Sequence, residues 1–254
     1  MARNPGENPF MRKTRTGRFP RADQSERIGV LGRLLSVAIP LILTVAIGFG
    51  LSDQIRTRDR AAEAAAAAVA GPATLTDGLV RIGNPDAKVV VTVLEDPQCP
   101  LCGSFQKVTG PTLDALVQQG AIAVDYGMIA IRDKSSTTAY SSRASNAAAC
   151  VAEADIGSWP AWRRELLSRV PAEGSPGPSD QELIDMAVRA GVAPGPRLDD
   201  CVTSRRYGGY VTDRTGKAIA DRLTRAPAVR IGSTPVTNLT PEGLDAAVRA
   251  AQPG

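Results

Sequence analysis

Cys99 and Cys102, in the stretch Glu95-Asp96-Pro97-Gln98-Cys99-Pro100-Leu101-Cys102, are the residues through which this sequence could do chemistry. Two thiols three positions apart on one helical turn can close and open a disulfide, or can contribute half of a metal site. The metal reading needs a second ligand pair at close spacing. The chain has no histidine, and the other cysteines, Cys150 and Cys201, stand far apart in sequence, so the redox reading is preferred. The surroundings suit it. An apolar run over 89–94 reads as a strand and leads directly into the cysteines. Phe105, Val108, Leu113, Leu116 and Val117 then recur at helical spacing. Cys99 at a helix N-terminus meets unpaired backbone N–H groups and the positive end of the helix dipole, which lowers a thiol pKa. Pro100 fits the first helical turn, where its missing N–H costs little. Asp96 either raises the thiol pKa slightly or faces solvent, and solvent is the expectation.

The elements that must hold this dithiol are readable on both sides of it. Gly78 to Gly83 forms a short strand and Asn84-Pro85-Asp86-Ala87 a turn. Gly110-Pro111 kinks or breaks the first helix. Ala121 to Ile129 is the next strand, so strand, helix and strand make a βαβ unit with parallel strands. From Thr138 to about Thr224 the pattern is helical. Cys150 falls in a small-residue-rich helix over 141–153, and Trp159, Trp162, Leu166 and Val170 mark a core-facing helix. Residues 171–178 form a loop. Ser179-Asp180-Gln181-Glu182 has the form of a capping box, Cys201 lies in a further helical piece, and Tyr210 to Leu223 is one more helix. Short strands return after that. Thr240 then caps a C-terminal helix that opens with Pro241.

Charge and hydropathy divide the chain. Net charge is +4, yet residues 1–33 carry eight Lys or Arg against three Asp or Glu, while from Asp77 onward 19 basic residues face 20 acidic ones. The basicity belongs to the tail. With aromatic content of only 4%, a nucleic-acid module is set aside. Leu34 to Leu51 is uncharged, and at about 1.5 Å per residue it reaches roughly 27 Å, close to the thickness of a bilayer core. It is longer than a usual signal-peptide apolar core and has no small-residue site where cleavage normally falls, so an uncleaved anchor is expected. The positive tail places the N-terminus in the cytoplasm and the remainder outside. The expected divisions are a disordered cytoplasmic tail over 1–33, a transmembrane helix over 34–51, a linker over 52–76 and a folded domain over 77–254 with a helical insert at about 138–224.

Taken together, the phrase around Cys99 and Cys102, the interrupted βαβ unit and the four-cysteine layout resemble the DsbA-like branch of the thioredoxin superfamily, of the membrane-anchored mycobacterial and actinobacterial type. The resemblance covers about residues 78–252. It implies an α/β thioredoxin fold with an inserted α-helical subdomain, preceded by the one membrane helix. It implies a protein disulfide oxidoreductase with Cys99 and Cys102 as the catalytic pair, no cofactor and no metal. It also implies a structural disulfide between Cys150 and Cys201, and a cis-proline facing the dithiol just before a β-hairpin. Pro235 leaves only four residues before the last helix, too few for a hairpin. Pro227 leaves a strand, a two-residue turn at Gly232-Ser233 and an edge strand on which Pro235 is tolerated, so Pro227 is chosen. Pro227, Ala226, Pro100 and Leu101 would then line the groove for clients. One departure matters: the intervening dipeptide is Pro-Leu, where strongly oxidising members have Pro-His. Without an imidazolium beside it, Cys99 is expected to be a milder thiol acid and the protein a milder oxidant. The implied partners are exported cysteine-containing proteins and a quinone-linked integral-membrane protein that re-oxidises the dithiol. Disulfide formation is the expected direction; reduction, isomerisation and a non-catalytic binding module remain as alternatives. A monomer is expected.

Overall fold

The computed structural model describes residues 54–59, 71–72 and 74–252. The expected tail and span at 1–33 and 34–51 lie outside them. Among the described residues no helix is long and apolar enough to cross a membrane. Residues 54–59 are a short exposed helical stretch in a unit separate from the domain that follows.

The domain is built on a five-stranded sheet in the order β1-β3-β2-β4-β5. The strands are β1 (Val80–Gly83), β2 (Val90–Glu95), β3 (Ala123–Met128), β4 (Ala228–Ile231) and β5 (Thr234–Pro235). β2 and β3 run parallel, with Val91 opposite Val124 and Glu95 opposite Met128; the other pairings are antiparallel. All of β3 is buried, as expected for a strand of a parallel pair covered on both faces. Pro235 sits on the two-residue edge strand, where its missing N–H breaks no ladder.

Eight α-helices and a short 3-10 turn (Asp133–Ser135) complete the described domain. α1 (Pro100–Val108) and α2 (Gly110–Gln118) link β2 to β3. Between them Thr109 keeps a right-handed helical conformation, so Gly110-Pro111 interrupts the helix and does not turn the chain back. The insert holds α3 (Tyr140–Ala154), α4 (Trp159–Ser168), α5 (Asp180–Ala190), α6 (Pro196–Thr203) and α7 (Gly208–Ala220). α8 (Pro241–Ala251) closes the chain, with the Thr240 hydroxyl accepting from the Gly243 N–H. The capping box stands at α5: Ser179 Oγ accepts from the Glu182 N–H while Glu182 returns the bond to the Ser179 N–H.

The core joins sheet and insert. Trp159 and Trp162 are almost wholly buried, and each indole N–H finds a backbone carbonyl, that of Ala148 and that of Leu183. Cys150 on α3 and Cys201 on α6 form a disulfide with 5.8 Å between Cα atoms. Asn146, one turn before Cys150, donates to the Val202 carbonyl and accepts from the Tyr207 N–H, so a buried amide ties α3 both to α6 and to the start of α7. The folded unit also begins earlier than the expected boundary at 77. Pro72 is buried, Thr74 Oγ1 donates to the Ala152 carbonyl at 3.0 Å, and Leu75 packs on the core. Composition marks these residues as linker, but burial against the insert is a tertiary property.

Candidate active site

Cys99 is the N-cap of α1, in extended conformation, and Pro100 opens the helix. The Cys99 carbonyl accepts from the N–H groups of Cys102 and Gly103, which leaves the thiol at the open end of the first turn. Both thiols lie in a small apolar cluster with Leu167 of α4 and Ala226. Cys99 is 4% exposed and Cys102 fully buried, so the two thiols differ little in access. The electrostatic contrast is large. The Cys99 pKa is brought down to about 7: the Cys102 thiol donates to its sulfur, and the Cys102 and Leu101 N–H groups add to this against the cost of burial. Burial first, then the contact with Cys99 and the negative charge of Glu95, push Cys102 strongly up. The pair is therefore one acidic thiol beside one that stays protonated.

Close packing puts Cys102 where it is. A Cβ on Gly103 would come within 2.8 Å of the Leu167 carbonyl, so α1 approaches the end of α4 more closely than any side chain at 103 allows. Across the dithiol the Ala226–Pro227 peptide is cis, and the Cys99 thiol donates to the Ala226 carbonyl at 3.1 Å.

Two buried carboxylates flank the cysteines, and sequence reasoning placed neither correctly. The strand expected from the apolar run ends at residue 94, short of Glu95. It is the last residue of β2, in phase with Val91 and Val93, so strand alternation carries it into the core. There it pairs with Arg163 of α4 through two 2.6 Å hydrogen bonds, both side chains being at most 4% exposed. The guanidinium also bonds Gln106 of α1 and lies 4.0 Å over the Tyr126 ring. The period-2 register with the two valines was the signal that could have found it. Asp96, expected to face solvent, is instead fully buried. Its carboxylate accepts from the Gln98 N–H at 2.8 Å, the Arg132 N–H at 2.9 Å and Ser141 Oγ at 2.6 Å. Burial raises its pKa against the pull of these bonds. Two of its three partners come from a loop and a helix more than 30 residues on, which no local pattern reveals.

A groove of about 1110 Å³ opens along this side of the molecule, with Leu101 and Val108 of α1, Ala226, Pro227 and Val236 in its lining. Leu101 and Val108 are 61% and 58% exposed. Leu101, Ala226 and Pro227 line this groove and Pro100 starts α1 beside Leu101; Cys99 and Cys102 pack with Ala226 and are not in the groove lining, and Cys150 and Cys201 belong to the insert.

A five-stranded sheet with a helix-capping dithiol opposite a cis-proline defines a thioredoxin-fold redox protein. The thioredoxin family profile matches residues 75–250, and the chain belongs to that family. Among solved structures, the disulfide oxidoreductase DsbG of Mycobacterium tuberculosis is 36% identical with a TM-score of 0.61, over 68% of this chain and 86% of that one. DsbA of the same organism is also 36% identical, with a TM-score of 0.60 over 68% and 92% of the two chains. The thiol-disulfide oxidoreductase MdbA of Corynebacterium diphtheriae, at 22% identity and a TM-score of 0.54 over 72% and 92%, shares the fold. No curated protein matches the sequence. Within the family this chain is a DsbA-like protein disulfide oxidoreductase.

Proposed function

We propose that the protein is a membrane-anchored oxidoreductase working outside the cytoplasm, that it introduces disulfides into exported proteins, and that Cys99 and Cys102 are its catalytic pair. The observation that carries this reading is geometric: Cys99 caps α1 with Cys102 one turn on, and its thiol lies 3.1 Å from the Ala226 carbonyl at the cis Ala226–Pro227 peptide. In the oxidised enzyme a client thiolate attacks Cys99 Sγ. The Cys99–Cys102 bond breaks, and Cys102 leaves as a thiolate and takes a proton. A second client thiolate then attacks the client sulfur of the mixed disulfide. The client disulfide closes and Cys99 departs as a thiolate, so two electrons pass from client to enzyme. A thiol that ionises at about 7 is a good leaving group. Leu101 and Val108 supply an apolar landing beside it for an extended client, across from Ala226 and Pro227. Re-oxidation passes the electrons to a quinone-linked membrane protein.

The test is the reduction potential of Cys99/Cys102 together with turnover on two substrates. A potential well above about −270 mV, nearer to about −120 mV, and refolding of reduced ribonuclease support the oxidase. A potential at the lower value, with efficient insulin reduction, would make it a reductase. Inactivity in both assays would favour a binding module. Anchoring is tested separately. In intact cells residues 1–33 should resist external protease while the domain is cut, and a mature chain beginning after Leu51 would defeat the anchor.

A further inference from the structure

We infer that Asp96 is a positioning residue for the dithiol: its buried carboxylate clamps the turn carrying Cys99 to the helical insert, and its negative charge opposes the thiolate that forms there. The inference rests on Cys99 being the reactive thiol.

The geometry is that of a three-way clamp. One oxygen, Oδ1, takes the Gln98 N–H and the Ser141 hydroxyl, and the other, Oδ2, takes the Arg132 N–H. Gln98 immediately precedes Cys99, and the Asp96 carbonyl itself accepts from the Cys99 N–H at 2.9 Å. Ser141 lies in the first turn of α3, and Arg132 follows β3. One side chain therefore joins the active-site turn to two segments of the neighbouring structure. The turn is fastened twice more, because Gln98 Nε2 donates to the Ser135 carbonyl and Arg132 Nε to the Gln98 carbonyl.

All three partners of the carboxylate are donors. An ionised carboxylate accepts from all of them at full strength, whereas a protonated one gives weaker acceptors to the two N–H groups and can hand its own proton to the Ser141 hydroxyl. An asparagine sets its NH2 against one of the two N–H groups and loses that bond outright. The charged groups around Asp96 are few. Cys99 lies on its own turn, the Arg132 guanidinium and Asp133 follow β3, and Tyr140 begins α3. Arg132 directs Nε to the Gln98 carbonyl and Nη2 toward Glu173 at 4.0 Å, so its charge is shared away from Asp96. Asp133 is engaged with Ser142. The carboxylate is thus held within the turn that carries Cys99, with no ion-pair partner among the described residues. It acts against the helix N-terminus and leaves Cys99 a less acidic thiol than the cap alone would make.

The two parts of the role separate in the full-length reduced protein, held in detergent, by following thiolate absorbance near 240 nm against pH. Asp96→Asn removes the charge and should move the Cys99 midpoint down by roughly half a pH unit. Ser141→Ala keeps the charge and removes one strap. It should lower thermal stability and leave the midpoint within about 0.2 units. A turn that is merely loosened moves the midpoint the other way, toward an ordinary cysteine. Because Asp96→Asn also loosens the turn, the comparison is with Ser141→Ala, which loosens it and keeps the charge: an Asp96→Asn midpoint no lower than that of Ser141→Ala overturns the inference. If Asp96→Asn does not fold, amide exchange of the unaltered protein decides. Protection of the Gln98 and Arg132 N–H groups should fall together as Asp96 is protonated, and protection that stays constant or changes at one site alone overturns the clamp. These readouts do not depend on client oxidation, so an inactive protein with the expected titrations would defeat the oxidase reading and leave the clamp standing.

Discussion

At the scale of single residues, the dithiol works by difference. Cys99 is the only one of the two thiols that ionises near neutrality, so alkylation of the reduced protein should modify it first. Its rate should rise as pH increases through about 7 and level off about one unit higher, because the thiolate is the nucleophile. Mass-spectrometric mapping gives the order, and labelling of Cys102 first would reverse the assignment. Cys102→Ser should trap mixed disulfides with clients, while Cys99→Ser should not. Below the thiols, the Glu95–Arg163 pair is balanced only while both partners are present. Arg163→Met strands a buried carboxylate and should cost about 3–5 kcal/mol in urea denaturation. The double change Glu95→Gln with Arg163→Met should recover part of that. A loss under about 1 kcal/mol for Arg163→Met alone would mean the pair is not held as described.

Among the elements, the contact between α1 and α4 decides how deep the second cysteine sits. Gly103 is the residue that lets it form, with the Leu167 carbonyl and Val170 in the space a Cβ would take. Gly103→Ala improves local helix propensity by about 1 kcal/mol, which taken alone is stabilising. The clash should exceed that gain and leave a net loss of roughly 1–3 kcal/mol, with Cys102 more accessible to alkylation. A more stable Gly103→Ala protein would show that α1 has room to shift. The length of β2 works to a similar end. One more residue of strand than the apolar run suggests takes Glu95 into the core and starts the turn at Asp96, leaving three residues to reach the cap at Cys99.

Over the whole molecule, the insert has its own brace. The disulfide between Cys150 and Cys201 spans 51 residues and ties α3 to α6. In the chain-entropy account a loop of that length stabilises by up to about 4 kcal/mol. Replacing both cysteines with alanine should lower the melting temperature yet keep most dithiol turnover, because the bridge packs in the main core and the Cys99–Cys102 pair in a separate small cluster. Loss of turnover in a variant that still melts cooperatively would give the bridge a redox role. Thiol counting under denaturing, non-reducing conditions checks the bridge itself: only Cys99 and Cys102 should react after reduction of the active-site pair by a mild reductant.

Local patterns in the sequence determined the βαβ frame, the helix caps at Ser179 and Thr240, the tryptophans as core and the dithiol at a helix start. Each of these depends on neighbours within a few residues: strand alternation, helical period, a capping side chain, a proline at the first turn. The hairpin argument that separated Pro227 from Pro235 was local too, since it counted residues available for two strands and a turn. Tertiary structure decided what depends on distant partners. Glu95 is a core residue because α4 brings Arg163 to it, and Asp96 is buried because α3 and the segment after β3 supply its donors. Pro72, Thr74 and Leu75 belong to the domain because they pack against it, Thr74 bonding the insert at Ala152. Charged side chains look solvated in a sequence, since burying one without a partner is prohibitive. Only the fold shows that the partner, 36 or more residues away, is there.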